Sequence, residues 1–326
     1  MKEVSPLPPS RFAILAAFAS IYLIWGSTYL AILFAIRSIP PLLMAGTRFL
    51  SAGLILYLAA RLSGARSTRP IEWRTALIVG ACLLVGGNGG VTLAEQYVPS
   101  GLAALLIATV PLYIALLSWL FGLSARPRPL ALVGLAGGFL GVGVLIGPAL
   151  RFSANGLAPH AWIGMSILLF SSLAWSAGSL YSRRAQSAAS PFLAAGQQML
   201  CGGTLLLLAG LSTGEWRQFN PERVSMESLG AFLYLVLIGG IVGYVSYAWL
   251  LRHCEPSKVA TYAYVNPVVA VVLGAVFAGE KLSLMTGVAA AIIVGSVALV
   301  ITAGMRKVAP TPEVACPDAD QGKAIS

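Results

Sequence analysis

Arg48 stands inside a long apolar stretch that opens at Pro41. In a bilayer an arginine near a helix centre costs about 2.5–3.5 kcal/mol to insert. At about 1.5 Å per residue it lies roughly 10 Å inside the end of its helix. Such a group faces a bundle interior or a wet cavity and has a partner. It could bind a carboxylate or gate a path; the alternative is a fixed ion pair or a snorkelling side chain. Glu95, beside Gln96, matches Arg48 in depth, and an Arg48–Glu95 pair that forms or breaks in gating is expected. The alternative for Glu95 is an exposed interfacial carboxylate. Glu280 and Lys281 read as turn and cap chemistry.

Asn88 sits among Gly86, Gly87, Gly89 and Gly90. Glycines allow close backbone approach and make a helix easier to distort, which frees polar groups for a ligand. Tight packing with Asn88 as an interhelical hydrogen bond is the equal alternative. Pro111 and Pro267 each remove a backbone hydrogen bond inside an apolar stretch, and Asn266 adds polar atoms at that depth. A static kink is the other reading. Trp25, Trp175, Tyr244, Tyr247, Tyr262 and Tyr264 could line a cavity and stack on a flat or cationic solute, or pack in the core. Thr28 and Gln198 complete the candidate binding and gating set. The pairs Gly134/Gly138, Gly137/Gly141 and Gly239/Gly243 have spacing for close helix contact and no chemistry of their own.

No Walker A sequence and no H-E-x-x-H motif occurs, and no nucleophile–His–acid set stands out around the two histidines. The four cysteines suggest neither a metal site nor a disulfide framework. No enzyme and no cofactor is expected. Nor does any ring of like charges suggest a channel.

These residues must be held by helices in lipid. Of 326 residues, 58% are hydrophobic and 10% charged, with a mean hydropathy of +0.84. A soluble chain carries about 25% charged residues. The formal charge of +10 then reads as loop charge at a membrane, not nucleic-acid binding. Ten stretches are long enough to span, at about 12–35, 41–60, 74–95, 100–122, 129–148, 161–182, 191–212, 227–250, 258–279 and 284–304. With residues 1–11 inside, fifteen of the 21 basic residues fall on the inner side and five on the outer, leaving Arg48 in a span. Both termini are then cytoplasmic. Residues 306–326 read as a disordered cytoplasmic tail.

The chain also repeats itself. At an offset of 150, Trp25 falls on Trp175, Pro41 on Pro191, Gly46 on Gly196 and Gly53 on Gly203. Gln198 falls on Arg48. Further on, Pro99-Ser100 matches Pro256-Ser257 and Pro111 matches Pro267. Two repeats of five spans, residues 12–150 and 160–305, must cross the membrane in opposite senses. The expected fold is an all-α polytopic membrane protein of two inverted five-helix halves. Inverted repeats characterise secondary transporters, with the solute near the midplane between them.

Several stretches carry a family likeness. They are Ile24-Trp25-Gly26-Ser27-Thr28-Tyr29, Pro40 to Phe49, Gly87-Asn88 through Ala94-Glu95, Val98 to Ala104, Ala108 to Pro111, Tyr262 to Ala270 and Gly279 to Ser283. The chain resembles the EamA branch of the drug/metabolite transporter superfamily, especially its YedA-type members, from about Phe12 to Met305. The resemblance implies ten helices around a central cavity, alternating access, and export of amino acids, other metabolites or drugs from an inner (plasma) membrane. The family's small four-helix relatives couple to protons through a glutamate in their first helix; this chain has no acid in its first span. The expected partners are a small-molecule solute and the lipid bilayer, with the chain a monomer or weak homodimer. An importer or facilitator is the alternative within transport, and a membrane-embedded enzyme the alternative outside it.

Overall fold

The computed structural model describes residues 10–65, 69–124, 127–150, 160–185, 190–254, 259, 261–280 and 283–303. The expected N-terminal segment, save its last two residues, and the tail from 306 onward lie outside them. The described residues form ten apolar helices and no strand: α1 (Arg11–Ala35), α2 (Pro41–Leu62), α3 (Pro70–Ala94), α4 (Ser100–Leu120), α5 (Pro129–Leu150), α6 (Ala161–Arg184), α7 (Pro191–Ser212), α8 (Met226–His253), α9 (Tyr262–Ala278) and α10 (Leu284–Ala303). Seven are long and apolar enough to cross a membrane; α5, α9 and α10 contribute shorter apolar stretches.

Local chemistry sets the helix ends. Proline starts α2, α3, α5 and α7, where its missing N–H has no intrahelical partner to lose. Ser10, Ser190 and Ser225 cap α1, α7 and α8 through their hydroxyls. Glycines in the left-handed conformation, Gly64, Gly122, Gly214 and Gly279, follow α2, α4, α7 and α9. Large apolar side chains face outward, with Phe12 80% and Leu62 88% exposed. An exterior of this kind is stable in hydrocarbon and not in water.

Short turns make successive helices antiparallel, so their ends form two faces. One, here the acidic face, carries Arg37, Glu95, Glu215, Glu227 and Glu280. The opposite, basic face carries Arg61, Arg74, Arg128, Arg183, Arg184 and Arg252.

The repeat is visible as packing. Gly46 lies against Leu207, and Gly53 against Leu200; their equivalents in α7 answer symmetrically, Gly196 against Tyr57 and Gly203 against Leu50. A Cβ at any of the four would lie 2.6–2.9 Å from the other helix. Residue numbers of the contacting pairs rise in α2 as they fall in α7, so the helices cross antiparallel about a pseudo-twofold axis. Small residues permit this backbone contact. Gly134, Gly137 and Gly141 let α5 approach α10 at Ser296, Ile292 and Ile293 in the same way. Of the other expected contact glycines, Gly138 meets Leu112 of α4, while Gly239 and Gly243 meet Thr28 and Trp25 of α1.

The halves are exchanged, not side by side. Helix α1 packs on α8 and α9 of the second half, and α6 packs on α3 and α4 of the first. Tyr22 of α1 bonds Thr261 at 2.6 Å, and Ser176 of α6 bonds the Val110 carbonyl of α4 at 3.1 Å.

Candidate functional site

Between the α1/α8/α9 and α3/α4/α6 groups lies a central cavity of about 70 Å³. Its walls include Trp25, Thr28, Arg48, Asn88, Trp175, Tyr244, Tyr262 and Asn266. Eight of the twelve candidate binding and gating residues thus meet at one place. Glu95, Gln198 and Tyr247 do not line it.

Two helices change pitch there. Residues Ala81–Gly89 of α3 and Leu235–Tyr244 of α8 wind as π-helix, with i→i+5 bonds. They occupy equivalent places in the two halves. Such widened turns leave backbone groups less regularly paired and recur at functional sites. They bring Gly87 and Asn88, and Gly239, Gly240 and Tyr244, to the cavity wall. The glycines make room: a Cβ on Gly87 would meet the Trp175 ring at 2.7 Å, and one on Gly243 the Trp25 ring at 2.6 Å.

Arg48 is 3% exposed. Its Nη2 donates to Asn88 Oδ1 at 3.0 Å, and its guanidinium lies 4.3 Å over the Phe49 ring. Its buried Nε has no hydrogen-bond partner. The expected Arg48–Glu95 ion pair is therefore unmade in this conformation. Asn88 lies seven residues before Glu95 on α3, two turns deeper, and the Arg48 side chain turns into the cavity. Both Glu95 oxygens are buried without a hydrogen-bond partner, so it is not an exposed interfacial carboxylate either. The cavity thus holds a cation with a neutral partner and a spare donor.

The tryptophan pair meets on the pseudo-twofold axis. Trp25 and Trp175 lie edge to face at 5.5 Å. Tyr247 and Tyr262 close on Trp25 at 4.9 and 5.4 Å. Tyr247 also hydrogen-bonds Ser179 of α6 at 2.9 Å. The Asn266 amide, oriented to satisfy both ends, donates to the carbonyls of Tyr22 (3.0 Å) and Tyr262 (3.2 Å), so it ties α9 to α1 as well as facing the cavity. Tyr264 has no described side chain.

The prolines act differently from one another. Pro111 follows a break at Ala108–Thr109 that divides α4. At the break the Leu106 oxygen accepts from the Thr109 hydroxyl (2.6 Å) and from Ser172 (3.3 Å). Pro267 lies within a continuous α9.

Gln198 borders a second and larger space. Its Oε1 accepts from Tyr244 at 2.6 Å. An inverted axis carries a residue near one face to its equivalent near the other, so Arg48 and Gln198 lie at opposite depths. The second space is a vestibule of about 660 Å³ toward the basic face, lined by Thr75, Ser182, Arg183, Gln198 and Arg252 among others. Tyr244 borders both spaces.

At the acidic face several contacts tie elements of the two halves together. Arg37 pairs with Glu227 at 3.1 Å, and Ser228 donates to the Phe34 carbonyl at 2.7 Å. Glu215 accepts from the Leu42 and Leu43 N–H groups at 3.2 and 2.9 Å. Glu280 accepts from Ser100 N, Ser100 Oγ and Gly101 N at 2.8, 2.7 and 3.0 Å. The expected cap chemistry of Glu280 is present, on a helix of the other half. Lys281 lies outside the described residues. Cavity walls supplied by Tyr29, Ile32, Phe49, Val91, Ile107 and Ser171 were not singled out from sequence. Apolar residues at such positions carry no mark that separates cavity from core.

Known proteins share this organisation. A solved crystal structure, 23% identical, covers 89% of this chain and 98% of its own with a TM-score of 0.62, which is a likeness of fold. The inner membrane transporter YedA of Escherichia coli (strain K12) is 39% identical over 288 residues, 87% of this chain and 89% of that one. The transporter YvbV of Bacillus subtilis (strain 168) is 29% identical over 91% of this chain and 93% of its own. The sequence model of the EamA-like transporter family matches twice, at residues 11–147 and again at 162–302. Two matches over two interlocked halves that enclose a central cavity place the chain within the EamA-like transporter family.

Proposed function

We propose that the chain is an inner-membrane exporter of a small organic solute with an anionic group, working by alternating access. Both termini are cytoplasmic on this reading, and the basic face is the inner one, which the distribution of Lys and Arg supports. The observation that carries the reading is Arg48. It is a buried cation with a neutral partner, in a cavity at the meeting line of two inverted repeats. A carboxylate entering the cavity would take the unused Nε donor and compete with Asn88 for Nη2. The aromatic walls would bury an apolar body.

The cavity's size supports a resting, solute-free conformation. A water needs roughly 10–15 Å³ by this measure, so about 70 Å³ holds a few waters and no metabolite. The aromatic layer of Tyr244, Tyr247 and Tyr262 must part to admit one from the vestibule. On this reading the vestibule is the loading side and the closed acidic face the release side.

The test is solute counterflow in proteoliposomes, after a thermal-shift screen of purified protein against small organic anions. Accelerated exchange of an unaltered labelled solute supports transport, and chemical alteration of the solute would show an enzyme instead. Loss of both the shift and the exchange in Arg48→Ala supports the assigned role. A shift of unchanged size in that variant removes Arg48 from recognition.

A further inference from the structure

Helices α4 and α9 are equivalents in the two halves, and they pack on each other. At the acidic face the end of α9 meets the start of α4. There the left-handed Gly279 (φ 65°) ends α9, and Glu280 grips Ser100 and Gly101 through three hydrogen bonds. A carboxylate at a helix N-terminus satisfies donors that have no intrahelical partner. The carboxylate is seated against Gly274, where a Cβ would lie 2.5 Å from its Oε2.

The pseudo-twofold axis relates this junction to one at the basic face, where the end of α4 is described and residues 255–258 lie outside the described residues. The left-handed Gly122 (φ 64°) follows α4 as Gly279 follows α9. An N–H turns back six residues in both, Ser124 to the Ser118 carbonyl and Glu280 to the Gly274 carbonyl, each at 3.1 Å. The side chain differs. Ser124, with a short hydroxyl, stands where Glu280 has its carboxylate. The same holds for α2 and α7: Ala65 follows left-handed Gly64, while Glu215 follows left-handed Gly214. All four helix ends carry a left-handed glycine. The two on the acidic face carry a carboxylate that holds the other half, and the two on the basic face carry Ala65 and Ser124 instead.

We infer that Glu280 is a one-sided latch that sets the direction of the resting transporter. The inference rests on the alternating-access reading above. A perfectly symmetric pair of repeats would open to either face at equal free energy. Among the described residues no carboxylate joins α4 to α9 at the basic face, so the clasp removes that equality by stabilising closure at the acidic face. The vestibule at the basic face is the open end of the same arrangement. Opening outward requires the carboxylate to leave Ser100 and Gly101. Glu215 differs in kind. It holds α2 to α7 where the glycine crossing already fixes the two backbones together, so it secures a hinge.

The test uses full-length protein with Cys82, Cys201, Cys254 and Cys316 replaced by serine, and Ile32→Cys in the central cavity as reporter. An impermeant maleimide is applied to spheroplasts, so it reaches only the outer face. We expect slow labelling in this parent and roughly fivefold or faster labelling with Glu280→Gln, the size expected from loss of one helix cap. Ser100→Ala removes one of the three bonds and should give a smaller rise in the same direction. Glu215→Gln should leave the rate unchanged. Labelling of Glu280→Gln at the parent rate overturns the latch. If that variant gives no monodisperse protein, Ser100→Ala decides by itself, and parent-rate labelling there overturns the latch equally. Counterflow by the cysteine-free parent without the reporter is measured separately. Its absence removes the transport reading, whereas its presence with unmoved labelling removes only the latch.

Discussion

Arg48 and Asn88 form the polar centre of the cavity, and their bond decides what a substitution there does. Arg48→Lys keeps the charge but loses the planar fork, so it should retain part of the solute-induced thermal shift that Arg48→Ala loses. Asn88→Ala leaves the guanidinium without its 3.0 Å acceptor. A hydrogen bond to a charged group is worth about 1.5–3 kcal/mol, so this variant should lower the melting temperature measurably in the absence of solute. Added carboxylate solute should restore more stability to it than to the parent, because the ligand then supplies the missing acceptor. Arg48 was legible as an intramembrane charge without any structure. Its partner was not. Glu95 and Asn88 lie on the same helix two turns apart, and depth alone favoured the carboxylate; the direction of the arginine side chain chose the amide. Tyr244 is the second residue with a sharp consequence. It borders both cavity and vestibule, so Tyr244→Ala should join them. Labelling of the Ile32→Cys reporter from the inner face, in inverted vesicles, should rise several-fold, and an unchanged rate would show that the aromatic layer is not the barrier.

Among the elements, the α2–α7 crossing is the most constrained. Gly53 and Gly203 are symmetric equivalents, with Cβ positions 2.8 Å from Met199 and 2.7 Å from Leu50 N. Gly53→Ala and Gly203→Ala should each destabilise by about 1–3 kcal/mol, and by similar amounts, as read by thermal melting in detergent. A large effect at one and none at the other would mean that the crossing is not symmetric in energy. The repeat itself was visible at an offset of 150 because the crossing needs glycine from both helices at one register. The π-helical stretches were only half visible: glycine clusters marked α3 as easy to distort, but nothing in Leu235–Tyr244 beyond Gly239, Gly240 and Gly243 marked α8. Pro111 was legible as a break. That serines of α6 would take its carbonyls follows from tertiary packing, which local sequence does not encode.

For the whole molecule, exchange of the first helices means that neither half buries its own core. Residues 1–155 expressed alone should give no monodisperse protein, whereas both halves expressed together should assemble and bind solute; size-exclusion profiles of the two preparations decide it. The contacts pack α1 against α8 and α9, and α6 against α3 and α4. Ten apolar stretches and their approximate bounds could be read from hydropathy, since each span must satisfy its own backbone in lipid. Which span touches which could not, because in a membrane every helix offers its neighbours a similar apolar surface. Glu280 shows the same limit on a smaller scale: its cap chemistry was readable, the identity of the capped helix was not.

The exchange has a consequence during synthesis. Tyr22 and its partner Thr261 are 239 residues apart. At about 5–20 residues per second, the ribosome delivers the ninth helix roughly 10–50 s after the first. For that interval α1 lacks its α9 partner, and it carries no charge between Phe12 and Ile36. A cation or carboxylate placed there would be penalised while the chain is still being made, whatever partner it met later. The charged residues inside the spans accordingly begin with α2, and the newborn first helix can wait.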